Sequence, residues 1–441
     1  MSVKTWINGN TCYKIAERIF PILRSITGKG VRETLDILRE YLPELEVMGV
    51  KSGTKVFDWT VPAEWNCDEC FIEDEQGNII IDFRQNNLHV LGYSISVDKW
   101  LSLADMEPYL YTLKDQPDAI PYVTSYYQQR WGFCLSENAL NDLRNKYVKT
   151  EGKEPLFHAV IKSRHDDSGV LNYGECIIKG ESDREILIST YICHPSMANN
   201  ECSGPALSVV LANYIKSVKR YYSYRLVFIP ETIGSITYLA QNLAALKEKV
   251  SAGFVLSCVG DNNEYSMVAS RYGNTLADRT LENVLSYEHP GFKKYSYLYR
   301  GSDERQYNAP GIDLPICGFC RSKYGEYKEY HTSKDDLSYI SPEGFAGALE
   351  VMTKCIDVIE NNFIYRVNIF CEPQLSKRKL YPTVSKKDSY PSGIRDITNF
   401  IAYADGKNDL ISISNLIGTS AYSLIKLKNK LLQNGLISCI A

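Results

Sequence analysis

Apolar positions recur every three or four residues in two runs along residues 10–42, broken at Thr27-Gly28-Lys29-Gly30. That period predicts two helices, with the glycines permitting the turn between them. From about Lys55 to Pro121 the texture changes to short alternating runs, KVFDWTV, CFIED, NIIIDF and LHVLGYSI, with QGN and QNN turns between several of them. Alternation with period two predicts a small β unit. It closes near YYQQRWGFC, and SENALNDLRNKY reads as a helix behind it.

From residue 156 to about 360 strands and helices alternate: FHAVIKS, LNYGECIIKG, REILISTYIC, a helix from Ser203, YRLVFIP, a helix from Ile233, then GFVLSCVG. Such alternation predicts an α/β fold, a mixed, mostly parallel sheet sandwiched by helices. After Glu372, PQLSKRKLYPTVSKKDSYPSG has the composition of a linker. Beyond it IRDITNFIAYA, LISISNLIG and AYSLIKLKNKLLQ read as helices and LISCI as a terminal strand, the pattern of a winged helix. The expected organisation is an α/β domain over residues 1–55 and 150–372, an inserted β domain over 56–149, and a linker plus winged helix over 373–441.

Composition narrows the classes. A chain of 441 residues exceeds what one hydrophobic core serves, and 44% hydrophobic with 23% charged residues is that of a protein folded throughout. The 49 basic and 53 acidic residues leave a net charge of −4, no field to attract nucleic acid or anionic lipid. Lys426, Lys428 and Lys430 on the last helix read as a solvated face, so nucleic acid is not the expected partner. No stretch approaches the roughly 20 apolar residues of a membrane span, and the amino terminus lacks a secretory signal. The expectation is a cytoplasmic protein with no membrane partner; whether copies of the chain assemble stays open. Thirteen cysteines scattered over the length read as reduced small hydrophobes. The pairs Cys67/Cys70 and Cys317/Cys320 lie too far apart to read as a zinc ribbon.

Only six histidines occur, and two of them, His194 and His331, sit in compact polar clusters. His194 follows the apolar run REILISTYIC and opens PSMANNECSG; Glu231 follows YRLVFIP in the same way. Ligands of open α/β sheets bind beyond the carboxyl ends of the strands, where loops gather and helix N-termini point inward. GSDERQY at 301–307 and EYHTSKDDL at 329–337 supply two further clusters for one site.

These segments resemble the co-catalytic zinc aminopeptidases and their relatives, the glutaminyl cyclases. A family His opening a loop that ends Asn-Asp-x-x-Ser-Gly is similar to His194 with Asn199-Asn200-Glu201-Cys202-Ser203-Gly204. The family's Glu-Glu-x-Gly, a general base followed by a ligand, looks like Glu231-Thr232-Ile233-Gly234. Ser302-Asp303-Glu304 echoes a Ser-Asp-His segment, and His331-Thr332-Ser333-Lys334-Asp335 matches a closing His-Thr-x-x-Asp. More closely, CHPSMANN, SDERQY and YHTS resemble a bacterial branch with an aminopeptidase-like core, an inserted β domain and a carboxyl-terminal winged helix, often associated with surface polysaccharide biosynthesis.

The departures carry chemistry of their own. Asn200 stands where the family's metal-bridging Asp falls, and a neutral amide cannot supply two anionic oxygens. Thr232 replaces the second Glu, and Ser257 the carboxylate expected near the end of GFVLSCVG. The resemblance therefore implies a single zinc held by His194, Glu201 and His331, with Asp303 or Asn200 as substitutes, and Glu231 as general base. Arg271, Arg305 and Tyr324, in polar loops near the clusters, are candidates to hold substrate, as are Asn200 and Asp303. The expected activity is hydrolysis of an amide in a small peptide, aminoacyl or N-acyl sugar substrate, of aminopeptidase type or, as an alternative, by a deacylase in surface polysaccharide biosynthesis. The rival expectation is a non-catalytic scaffold or binding protein that keeps the fold after losing metals.

Overall fold

The computed structural model describes residues 6–147, 154–380 and 392–440. Two helices, Gly9–Ile19 and Lys29–Tyr41, open the chain as their periodicity predicts. Asn8 caps the first by accepting the Thr11 N–H, and Gly28 precedes the second at φ +103°, where a side chain would be strained.

An eight-stranded mixed sheet forms the centre. Its inner strands Ser223–Ile229, Glu185–Tyr191, Val250–Leu256 and Ile316–Cys320 run parallel, with antiparallel neighbours on both sides. Glu185–Tyr191 and Ser223–Ile229 are buried at every position, which is why they read as unbroken apolar runs. Helices Ser203–Lys216 and Pro342–Asn361 pack with the opening helices in one core cluster, and Ile233–Lys249 contributes to a second. The α/β expectation holds.

A separate four-stranded sheet pairs Ile79–Asp82, Glu64–Asp74, Leu156–Asp166 and Val97–Ser102 in that order. Leu156–Asp166, which its sequence pattern groups with the α/β alternation, lies here instead, paired with Glu64–Asp74 from Glu64↔Asp166 to Asp74↔Phe157. Periodicity reports which face of a strand is buried, not which sheet it joins. LHVLGYSI is likewise not a strand: it carries a 3₁₀ turn, Asn87–His89, and isolated bridges.

Near the carboxyl end, helices Ser392–Tyr403, Leu410–Ile417 and Ala421–Gln433 follow as expected. The three-stranded sheet beside them draws one strand, Ile364–Val367, from before the polar stretch, paired with Asp405–Asp409 and Ile437–Ile440. The expected boundary near residue 150 and the linker stretch 381–391 lie outside the described residues. Among the described residues no single helix is long and apolar enough to cross a membrane. All thirteen cysteines are free, and Cys67/Cys70 and Cys317/Cys320 lie in different sheets.

Candidate functional site

The loop after Glu185–Tyr191 delivers His194, and a five-residue π-helix, Ala198–Cys202, joins it to the helix Ser203–Lys216. Helices with i→i+5 bonds are rare and concentrate at functional sites. Here Asp335 accepts the backbone N–H of both Asn199 and Asn200, at 2.6 and 2.9 Å. The Asn199 side chain, in turn, accepts the N–H of Gly260 and Asp261. The loops after three strands are thereby tied together beneath the site.

His194 is 5% exposed, and its ring centroid lies 5.4 Å from that of His331. Its Nδ1 stands 2.7 Å from Glu201 Oε2, and its Nε2 3.5 Å from Glu231 Oε2. His331 Nε2 is buried without a hydrogen-bond partner. Five non-glycine residues of this region hold positive φ: Tyr127 (+63°), Ser196 (+44°), Thr232 (+64°), Cys258 (+53°) and His331 (+56°). Thr232, at φ +64° and ψ −78°, centres a γ-turn closed by the Ile233 N–H on the Glu231 carbonyl at 2.8 Å, a rare conformation that costs on the order of 1–3 kcal/mol and clusters at functional sites.

Burial sets the charge states. It disfavours the His194 cation, but the Cys193 sulfur and Glu201 carboxylate beside the ring outweigh it and raise the imidazole well above its ordinary value. Burial and the neighbouring His194 push His331 down to about 3, so that ring is neutral. Burial also raises the Glu231 carboxyl, against the pull of His194 and Arg305. Asp335 is pushed up to about 7 by burial despite its two backbone donors.

The pocket these groups face has a volume of about 310 Å³ and includes Tyr122, Tyr126, Glu231, Thr232, Arg305 and His331 in its wall. Tyr122 comes from the segment between the short strands Leu110–Tyr111 and Phe133–Cys134, where Pro121 bridges Thr332. The Tyr122 ring is 5.1 Å from both His194 and His331, its N–H donates to the His331 carbonyl, and its hydroxyl pairs with Tyr126. The only advance sign of these tyrosines is the run IPYVTSYY and the abundance of Tyr, 32 residues in all.

Other residues singled out from sequence are placed as follows. Glu201 is 1% exposed and lies against the Nδ1 edge of His194, the edge turned from Glu231. Buried Arg24, for which the sequence offered no signal, stands 3.9 Å from Glu201 and donates to the His194 carbonyl. Asn200 donates to the Tyr191 hydroxyl at 2.7 Å. Asp303 is fully buried, accepting the Thr232 N–H at 2.9 Å and the Ser235 hydroxyl at 2.7 Å. Arg305 reaches the pocket, 3.5 Å from Glu231 Oε1 and bonded to the Thr232 hydroxyl. Arg271 does not: its guanidinium pairs with Asp313 and stacks on Tyr272 away from the pocket. Tyr324 is buried, with its hydroxyl engaged by the Gly301 N–H and Glu304.

A helix-covered sheet whose parallel strand ends gather His194, Glu231 and His331, followed by a winged helix, is the architecture of an aminopeptidase-like α/β protein. The chain belongs to the family described as domain of unknown function DUF4910, which matches residues 13–362, and residues 363–439 match a winged helix-turn-helix family. A Clostridium acetobutylicum protein, provisionally named a polysaccharide biosynthesis protein with aminopeptidase-like domain, is 43% identical over 409 residues, 92% of this chain and 91% of its own. A crystal structure from the same organism, provisionally described as a peptidase, superposes with a TM-score of 0.90 at 39% identity, covering 100% of this chain and 97% of that one. A zinc aminopeptidase of Bacillus subtilis superposes with a TM-score of 0.57 at 13% identity, covering 79% of this chain and 94% of its own, which shows a shared fold.

Proposed function

We propose that the protein is a metal-dependent amide hydrolase with one zinc site at His194 and His331. The observation that carries this reading is the convergence of two imidazoles and one carboxylate on a single pocket. The rings lie 5.4 Å apart, His331 Nε2 has no other partner, and Glu231 Oε2 is 3.5 Å from His194 Nε2.

The donor set fits one ion better than two. Two ligand atoms sharing a tetrahedral zinc at about 2.0–2.1 Å stand roughly 3.3 Å apart. His194 Nδ1 and Glu201 Oε2, at 2.7 Å, are closer than that and have the spacing of a hydrogen bond. Glu201 is therefore proposed as the carboxylate that orients His194, not as the third ligand expected from sequence. A second ion would need the bridging carboxylate that Asn200 replaces; Asp303 gives Oδ1 to Thr232 and Ser235 and has only the buried Oδ2 unpartnered.

Zinc held by His194 and His331 would lower the pKa of a bound water to about 7 and polarise an amide carbonyl. On binding zinc His194 would release its Nε2 proton, keep the Nδ1 proton on Glu201 and turn Nε2 to the ion. Glu231, raised by burial, accepts a proton from water at Oε2 and returns it to the leaving nitrogen. Arg305 holds Oε1, which fixes the carboxylate plane. Peptides, aminoacyl amides and N-acyl amino sugars are the candidate substrates, the last in keeping with the name of the C. acetobutylicum relative.

Elemental analysis of protein stripped with chelator and reloaded tests the site. The expected result is about one zinc per chain, abolished by His194→Ala with His331→Ala. Glu231→Gln is expected to keep the metal and lose turnover by roughly 10²-fold or more. Protein that takes up no metal at micromolar zinc refutes the hydrolase and favours a binding scaffold.

A further inference from the structure

Beside the catalytic pocket lies a second cavity of about 420 Å³, and Trp59 lines both. The helix Ile233–Lys249 begins at the site and carries Ile233 in the wall of the first cavity, then Ile236, Leu239 and Leu243 in that of the second. Spacings of three and four residues put these side chains on one stripe, which runs roughly 15 Å from Ile233 to Leu243 at the rise of an α-helix. The two cavities adjoin at Trp59 and share this apolar stripe as one wall, with Asp58 and Gln306 also lining the second.

The opposite wall is a two-stranded hairpin, Lys55–Val56 with Trp59–Thr60, that packs against this helix. It leaves Phe57 56% and Trp59 39% exposed, and Tyr127, 51% exposed, sits edge-on to Trp59 at 5.6 Å. Three large rings left open to water around one groove forgo substantial burial, and such patches mark ligand surfaces.

The polar groups exclude one substrate class. Glu231 is the single carboxylate lining the catalytic pocket among the described residues, and it already faces His194 and Arg305. Arg305 Nε is buried with no hydrogen-bond partner. An α-ammonium placed beside Glu231 would meet a guanidinium, and the next carboxylate, Asp58, lines the second cavity and not this pocket.

We infer that the substrate is an N-acyl amide without a free amino group, its apolar acyl chain lying in the groove between Trp59 and the stripe Ile236, Leu239 and Leu243. This rests on the hydrolase reading and makes the protein a deacylase. Water oxygen bonds to the acyl carbon, the C–N bond breaks, the proton passes through Glu231 to the nitrogen, and a carboxylic acid and a free amine leave.

Binding to zinc-loaded Glu231→Gln protein, followed by calorimetry, separates this inference from turnover. The probes are N-acetyl-, N-butanoyl- and N-hexanoyl-glucosamine, with leucinamide as the free-amine control. Kd is expected to fall roughly fourfold per added methylene. Trp59→Ala and Leu243→Asp should flatten that gradient, and Trp59→Phe should restore it. With Glu231 intact and zinc omitted, leucinamide should bind more weakly than N-acetylglucosamine, and Arg305→Gln should narrow the gap. A Kd independent of chain length, or tighter binding of leucinamide, overturns the inference. Hydrolysis of leucinamide by the unaltered protein alongside a flat gradient would refute the deacylase and leave the hydrolase standing.

Discussion

Glu201 Oε2 accepts from His194 Nδ1 at 2.7 Å while Arg24 stands 3.9 Å behind the same carboxylate, so a buried cation, anion and imidazole lie in series. The series fixes which nitrogen of His194 faces the pocket.

If Glu201 orients rather than ligates, Glu201→Ala should weaken zinc binding roughly 10–100-fold, the usual effect of losing such a partner. Glu201→Gln, which still accepts from Nδ1, should weaken it less. Abolition of binding by both variants alike would instead mark a direct ligand. The Ala variant also leaves Arg24 buried and unpaired, a loss of about 3–5 kcal/mol that urea unfolding would register.

Tyr122 tests whether the segment between Leu110–Tyr111 and Phe133–Cys134 is part of the site. Its ring lies equally close to both imidazoles, so Tyr122→Ala should loosen His331 and lower zinc affinity. Tyr122→Phe keeps the ring and the backbone bond to the His331 carbonyl and should bind zinc as the parent does. Equal affinity in all three proteins, measured by competition with a chelating dye, would remove Tyr122 from the site.

Glu64 links the two sheets. It accepts from Arg32 on an opening helix at 2.7 and 3.0 Å and from the Val170 N–H of the large sheet at 3.1 Å. Burial opposes its ionisation, but Arg32, Asn66 and the Val170 amide outweigh it and bring the carboxyl down to about 2. A carboxyl depressed on folding stabilises fully above its unfolded value near 4.5 and loses that contribution as pH falls toward 2. Glu64→Gln should therefore be less stable than the parent at pH 7, with the difference closing between about pH 4.5 and 2. A gap that stays constant across that window in denaturant titrations would contradict the assignment.

The winged helix is docked by its own helices. Arg279 pairs with Asp409 at 2.6 Å, Asn283 donates to Ser414 and Asn415, and Lys428 is 6% exposed with its amine on Asn361. Lys428 thus points into the protein, not along a solvated face as its spacing suggests. Arg279→Ala should speed hydrogen exchange in residues 410–433, with a cost of roughly 1 kcal/mol. Duplex DNA should show no binding that weakens steeply with salt, and a measured salt slope of several charges would reverse this view of the module.

Sequence alone determined the local elements: the opening helices, the buried strands Glu185–Tyr191 and Ser223–Ile229, the helices of the winged unit, and hence the α/β class, while the aminopeptidase-like likeness came from the segments around His194, Glu231 and His331. It also flagged His194 and Glu231, because both directly follow apolar strands whose ends must point to one edge. Those signals are local, carried by periodicity within a dozen residues.

What the tertiary structure decided depends on contacts between distant segments. Arg24 meets the His194 carbonyl across 170 positions, Tyr122 reaches the His331 carbonyl from a segment far earlier in the chain, and Leu156–Asp166 joins the small sheet although its pattern fits either. Glu201 and Arg271 lose a place at the pocket and Arg305 keeps one by side-chain direction, which composition and spacing do not encode. Hydrophobic pattern specifies which face is buried; only packing specifies what it is buried against.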